Sequence, residues 1–229
     1  RVDYRTGNYP SSVFLINMDL DSDNDMLVAN GNDSIVSFFR NGGRGDFVRD
    51  SDIKVGKNVR SVFAADVDGD GLPNVIAASW GDDKIVVFLN TGKNEYPSGD
   101  KPISIYASDL DGDKDFDIAV ANSGSNTVSV FKNKGDGTFA PRVDYPTSQD
   151  PRSVVASDFD RDGDADLVVA CWNSANVSVL LNRGDGIFAN RVDYGTGIGP
   201  ISLVSFDYDQ DGDQDVFVAR RFRIDVAAR

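Results

Sequence analysis

Short apolar runs recur along the chain, separated by turns rich in Asp, Asn and Gly. One stretch shows their order well. Ser153-Val-Val-Ala-Ser157 leads into an acidic turn, and Leu167-Val-Val-Ala170 follows it. After a polar turn comes Val177-Ser-Val-Leu-Leu181; a Gly-rich turn, Asn182-Arg-Gly-Asp-Gly186, then leads to Phe188 and Arg191-Val-Asp-Tyr194. Branched and aromatic residues pack well on a pleated surface, while Gly, Asn and Asp fold readily into tight turns. The pattern therefore predicts four strands, labelled a, b, c and d. No segment carries a helical period, so the expected fold class is all-β.

The unit repeats. Strand b reads DMLVA (Asp25–Ala29), DIAVA (Asp117–Ala121) and DLVVA (Asp166–Ala170). Strand c reads SIVSFF from Ser34, KIVVFL from Lys84, TVSVFK from Thr127 and NVSVLL from Asn176. The c–d turn keeps an Asn and an aromatic in step: Asn41 and Phe47, Asn90 and Tyr96, Asn133 and Phe139, Asn182 and Phe188. The second copy is shorter between Tyr96 and Pro102, which predicts a stunted outer strand there. The chain opens with Arg1-Val-Asp-Tyr4, a match to strand d at Arg142–Tyr145 and Arg191–Tyr194, and it closes after a, b and a c-like run, Ile224-Asp-Val226. Four full units flanked in this way predict a single β-propeller domain over residues 1–229. It would have five four-stranded antiparallel blades, with the N-terminal strand completing the last. Such closure pairs both chain ends and leaves no free inner edge.

Between strands a and b each copy carries an aspartate ladder. The five read NMDLDSDND from Asn17, DVDGDGLPN from Asp66, DLDGDKDFD from Asp109, DFDRDGDAD from Asp158 and DYDQDGDQD from Asp207, with starts 49, 43, 49 and 49 residues apart. A carboxylate at every second residue is unfavourable unless positive charge lies among them. Calcium takes six to eight oxygens with tolerant geometry, whereas magnesium demands strict octahedral order. Glycine at position 6 allows the sharp bend, and position 7 can offer a carbonyl. The expected ligands are Asn17, Asp19, Asp21, Asp23 and Asp25; Asp66, Asp68, Asp70, Leu72 and Asn74; Asp109, Asp111, Asp113, Asp115 and Asp117; Asp158, Asp160, Asp162, Asp164 and Asp166; and Asp207, Asp209, Asp211, Asp213 and Asp215. This amounts to as many as five Ca2+ ions, one per a–b hairpin. An EF-hand is excluded, because position 12 holds Ala77, Val169 or Val218 instead of glutamate. Loops four and five combine every acid with Gly163 or Gly212, and should bind more tightly than loops one and two. Loop one starts on Asn17 and has Ser22 at the bend, loop two ends on Asn74, and loop three carries Lys114 at position 6. Asp-rich turns also suit bare hairpins, but five registered copies favour a cation. Its expected role is to clamp strand a to strand b.

Composition narrows the chemistry. Net charge is −14, which opposes nucleic acid and anionic membranes as partners. Glu95 is the only glutamate among 37 acidic residues, so the acid content serves local loop structure more than general solubility. There is no histidine, which removes the commonest general base. Cys171 is the only cysteine, so no intrachain disulfide or cysteine-based zinc site forms. No apolar run reaches the ~18 residues of a membrane helix.

Trp80 and Trp172 occupy matching b–c loops, on the face opposite the ladders, and are the candidate ligand contacts. An exposed ring there would stack on a sugar or anchor a protein; a covered one would shield its own blade. The Arg-Gly-Asp triplets at Arg44–Asp46 and Arg183–Asp185 both fall in c–d turns and follow from a shared turn template.

The ladder between strands a and b, followed by an apolar strand b and repeated in tandem, resembles the FG-GAP/VCBS repeat family. Those repeats build the propeller of integrin α subunits and of many secreted bacterial and fungal proteins. The resemblance implies a calcium-binding propeller, usually extracellular or at the cell surface, used in adhesion or in binding glycans or proteins. The expected function is a non-catalytic binding module for an extracellular glycan or protein. The alternatives are a polysaccharide lyase-like enzyme and a scaffold segment of a larger secreted protein.

Overall fold

Each copy of the repeat becomes one antiparallel sheet. The computed structural model describes residues 2–221 and 223–227, with side chains through residue 221. Blade one comprises β1 (Pro10–Ile16), β2 (Asp25–Asn30), β3 (Ile35–Asn41) and β4 (Phe47–Lys54). Blade two comprises β5 (Val59–Ala65), β6 (Asn74–Ser79), β7 (Lys84–Leu89) and β8 (Gly92–Pro97). Blade three comprises β9 (Pro102–Ser108), β10 (Asp117–Asn122), β11 (Thr127–Phe131) and β12 (Val143–Pro146). Blade four comprises β13 (Pro151–Ser157), β14 (Asp166–Cys171), β15 (Asn176–Leu180) and β16 (Val192–Gly195). Blade five comprises β17 (Pro200–Phe206), β18 (Asp215–Arg220) and β19 (Arg223–Ala227). The first four sheets run in a–b–c–d order and the fifth in a–b–c order, by simple hairpins, and no helix occurs among the described residues. Among the described residues, no helix is long and apolar enough to cross a membrane.

The b strands β6, β10 and β14 are buried along their whole length, because neighbouring blades cover both faces. Burial on two faces explains their unbroken apolar runs, which lack the alternation of a half-buried strand. Cys171 ends β14 as a buried free thiol. The core lies between blades: Ile76 and Ile85 of blade two pack with Ile105, Ile118 and Phe131 of blade three. A serine in strand a ties consecutive blades together. Ser61 Oγ accepts the Ile105 N–H at 3.1 Å, Ser104 that of Val154 at 3.2 Å, and Ser153 that of Leu203 at 3.1 Å.

Two expectations change. The shortened second copy keeps a full outer strand, β8. The deletion falls in the c–d turn, which contracts to Asn90 and Thr91 between the paired Leu89 and Gly92. Tyr96 therefore lies in strand d, opposite Ile85, and is the counterpart of Tyr145 rather than of Phe139. Glu95 correspondingly faces Val86, as Asp144 faces Ser129 in blade three.

At the N-terminus, Arg1 lies outside the described residues, and residues 2–7 form no strand. The expected pairing of Val2–Tyr4 with the last blade is not among the observed pairings, and β17–β19 form a three-stranded sheet. Tyr4 nonetheless occupies the place of a strand-d tyrosine. Its hydroxyl donates to Gly45 O at 2.9 Å and accepts the Phe47 N–H at 3.3 Å, with the rings edge to face. Tyr96 makes the same contacts with Phe139 of the next blade. Strands β1 and β17 have an a-strand neighbour on one side, leaving Val13 and Leu15, and Val204 and Phe206, exposed.

Candidate functional site

Each ladder closes into a loop held by its own backbone. The position 1 carboxylate accepts the N–H groups of positions 4 and 6: Gly69 and Gly71 on Asp66, Gly112 and Lys114 on Asp109, Arg161 and Gly163 on Asp158. The position 5 carboxylate accepts the N–H of position 7, as Asp21 does from Asp23, Asp70 from Leu72, Asp113 from Asp115, Asp162 from Asp164 and Asp211 from Asp213. This curl requires a left-handed backbone at position 6, where φ is 82° at Ser22, 85° at Gly71, 76° at Lys114, 96° at Gly163 and 90° at Gly212. It requires one at position 4 as well, where Leu20, Arg161 and Gln210 adopt it without glycine. The position 4 requirement has no clear sequence signal, since glycine stands there only at Gly69 and Gly112.

Position 9 plays two parts. Asp25, Asp117 and Asp166 are fully buried, and both oxygens of each accept a backbone N–H. One comes from position 2 of the loop (Met18, Leu110 and Phe159, each at 3.0 Å). The other comes from the c–d turn asparagine (Asn41 at 2.8 Å, Asn133 and Asn182 at 2.7 Å). Asp215 accepts the Tyr208 N–H at 3.0 Å. Asn74 replaces the acid in blade two, where the contracted turn leaves one such bond, from the Val67 N–H to Asn74 Oδ1 at 2.8 Å. The side chain of Asn133 also donates to Val67 O of the preceding loop at 2.8 Å, and Asn182 to Leu110 O at 2.7 Å, so the c–d turn locks one ladder onto the next.

The remaining oxygens gather. Single atoms of Asp66, Asp68 and Asp70, of Asp109, Asp111 and Asp117, of Asp158, Asp160 and Asp166, and of Asp207, Asp209 and Asp215 each lie within 4.8 Å of one another. Loop one, with Asn17 in place of the first acid, forms no such trio among the described residues. Oxygens of Asn17, Asp68, Asp111 and Asp207 are buried without a hydrogen-bond donor. Burial first, and then the charge of the next carboxylate, pushes Asp68, Asp111, Asp160 and Asp209 above the ordinary carboxylate range. All four stand at position 3. Burial raises Asp117 to about 6, against the two backbone N–H groups that favour its charge, and raises Asp166 in the same sense. Crowded, desolvated carboxylates with orphaned oxygens are a donor set for a hard cation. The position 7 aspartates Asp23, Asp115 and Asp164 instead lie beside Gly43, Gly135 and Gly184 of their c–d turns, where a Cβ would fall within 2.9 Å of each carboxylate. Gly135 and Gly184 are the middle residues of Lys-Gly-Asp and Arg-Gly-Asp, whereas Gly43 precedes Arg44, so the two Arg-Gly-Asp triplets are out of register. Arg161 of loop four pairs with Asp213 and Asp211 of loop five.

The opposite face is built from irregularity. Each a strand carries a bulge two residues in, skipping Ser11, Arg60, Ile103, Arg152 and Ile201 in the ladders. A bulge re-aims its extra side chain. Those five residues, with Tyr9 and Pro10, line a common cavity of about 420 Å3 where the five blades meet. The Arg60 guanidinium lies 4.9 Å from the Tyr9 ring and 5.6 Å from that of Trp80, and holds the Tyr9 phenol below its ordinary pKa. Trp80 also packs under the Lys101 ammonium at 5.2 Å. Trp172 lies 5.7 Å from Arg152 and against Gly199 of the next blade. Both tryptophans are half-buried, each between an arginine of its own blade and a residue that leads into the following one. Sequence reading missed the bulge residues, although the step of Ser12, Ser61, Ser104, Ser153 and Ser202 repeats the spacing of the ladders and marks the residue before each.

Solved structures share the fold. An Agrocybe aegerita lectin, described in specific recognition of non-reducing terminal N-acetylglucosamine, is 19% identical, with 95% of this chain and 66% of that chain covered and a TM-score of 0.63. Virginiamycin B lyase from Staphylococcus aureus is 11% identical over 93% and 64%, with a TM-score of 0.62. A putative 6-phosphogluconolactonase from Bacteroides fragilis is 17% identical over 86% and 60%, with a TM-score of 0.65. The chain thus spans 60% to 66% of the length of these three structures. No curated protein matches it. The FG-GAP-like repeat model matches four times, at residues 17–77, 66–120, 109–169 and 158–218, each match running from one ladder into the strand b of the next copy. Matches across this span, on the same loops that gather the carboxylates, make the chain a member of the FG-GAP-like repeat family.

Proposed function

We propose that the protein is a calcium-stabilised, extracellular, non-catalytic propeller that binds a glycan or protein partner. The supporting observation for calcium is the set of orphaned, charge-crowded oxygens at positions 1 and 3 of the ladders. The carboxylates at positions 1, 3 and 5, with the spare capacity of position 9, would hold the ion. Bound calcium supplies positive charge that relieves the repulsion and fixes strand a to strand b. The lectin, lyase and lactonase with this fold are 11% to 19% identical, which carries the fold alone. A binding role is read from the face opposite the ladders, where five blades contribute side chains to one cavity, in a chain without histidine.

Thermal unfolding with calcium and with chelator tests the first part. An ion present at 100 times its Kd stabilises by about 2.7 kcal/mol per site. The expected result is a melting temperature several degrees higher in calcium, with the tightest heats in titration lost on substitution of Asp158 or Asp207. Identical melting with and without chelator would remove the calcium reading. A glycan array and a capture screen against extracellular proteins test the second part; silence in both would leave a scaffold.

A further inference from the structure

The cavity at the meeting point of the blades carries chemistry that the ladders do not. We propose that Arg60 and Arg152 form a binding site for the carboxylate or sulfate group of an acidic saccharide. The inference rests on the glycan-binding reading of this face and names the ligand class.

The two arginines are placed by the same device in non-adjacent blades, the bulge of strand a, and both line the 420 Å3 cavity. The Nε atoms of both are buried and have no acceptor. A buried guanidinium donor without an acceptor is costly, and an oxyanion that draws the side chain toward the cavity satisfies it. Arg60 makes no ion pair among the described residues; the Tyr9 and Trp80 rings hold it in place through cation–π contacts that leave its charge in force. Arg152 gives Nη2 to Asp150 at 2.7 Å, which orients the fork and leaves Nε. Arg152 also borders a second cavity of about 440 Å3 that contains Trp80, Lys101 and Asp150. The two cavities therefore share Arg152 as a wall. Each is within the size of a small-ligand pocket. Three cations, with Tyr9 and Trp80 beside them, combine charge recognition with aromatic surface for a ring. In a chain of net charge −14, Arg60 and Lys101, which have no ion pair among the described residues, beside Arg152, which is paired with Asp150, mark a local, contact-range preference for anions.

The test is titration of the calcium-loaded full chain with oligogalacturonate, sulfated chondroitin oligosaccharide and neutral chitooligosaccharide. The expected result is binding of an acidic ligand and not of the neutral one. Arg60→Gln and Arg152→Gln should each weaken it by about tenfold or more, while Arg44→Gln, on an exposed c–d turn, leaves it unchanged. Arg60→Lys should retain part of the affinity, which separates charge from packing, and unchanged circular dichroism guards against misfolding. Binding to oligogalacturonate alone assigns the carboxylate, and binding to the chondroitin oligosaccharide alone assigns the sulfate. Neutral saccharide binding that survives both Gln substitutions would overturn the anion site while leaving the glycan-binding function standing. Silence toward every saccharide, with a protein captured instead, would overturn both the anion site and the glycan form of that function.

Discussion

The two faces of this propeller solve opposite problems. On the ladder face the carboxylates of each loop lie within nine positions of one another, and those at positions 1 and 5 are organised by local backbone N–H groups, loop by loop. On the other face the important side chains are about 49 residues apart in sequence and meet only because five bulges converge. Orphaned carboxylate oxygens mark the first face, and orphaned arginine Nε donors mark the second. Stability should thus be sensitive on the ladder face and ligand recognition on the other.

The largest effect is expected at position 9. Asp166→Ala leaves the buried N–H groups of Phe159 and Asn182 without an acceptor, at about 1–3 kcal/mol for each group. Urea unfolding should show a loss of several kcal/mol even with chelator present, because these bonds do not need the ion. A loss seen only in calcium would make position 9 a ligand and nothing more. Asn182→Ala should come next, at about 1–3 kcal/mol, since its amide joins Leu110 O of the neighbouring loop. Lys114→Gly has the opposite sign. It relieves a side chain held at φ 76° and removes a positive charge beside loop three, so a gain of about 1 kcal/mol is expected together with tighter calcium binding there. An unchanged titration would show that Lys114 points its charge away from the carboxylates. The smallest effect belongs to the far face: Arg60→Gln and Arg152→Gln should change stability by no more than about 0.5 kcal/mol, while changing binding. A large drop in melting temperature from either would recast the arginines as structural and erase the contrast between the faces.

The ladder face was legible in the sequence because its interactions are local. The alternation of acids, the glycine at position 6 and the apolar strand b specify loop and strand together, and Lys114 and Ser22 stand at positive φ where glycine was expected. The burial of position 9 was less legible, because its second N–H partner comes from the c–d turn, 16 residues away. Tyr96 was misread for a related reason. A deletion in a turn and a deletion in a strand leave the same spacing in one dimension, and only pairing with Ile85 separates them.

By itself, the sequence determined the all-β class, the five-fold repeat and the places where carboxylates crowd, since these depend on side-chain periodicity and on contacts a few residues apart. Tertiary structure decided which acids are buried, how serine joins blade to blade, and that Arg60 and Arg152 share a cavity. Those outcomes depend on how sheets stack around an axis, where residues distant in the chain lose water together, and no run of letters within one repeat encodes that meeting.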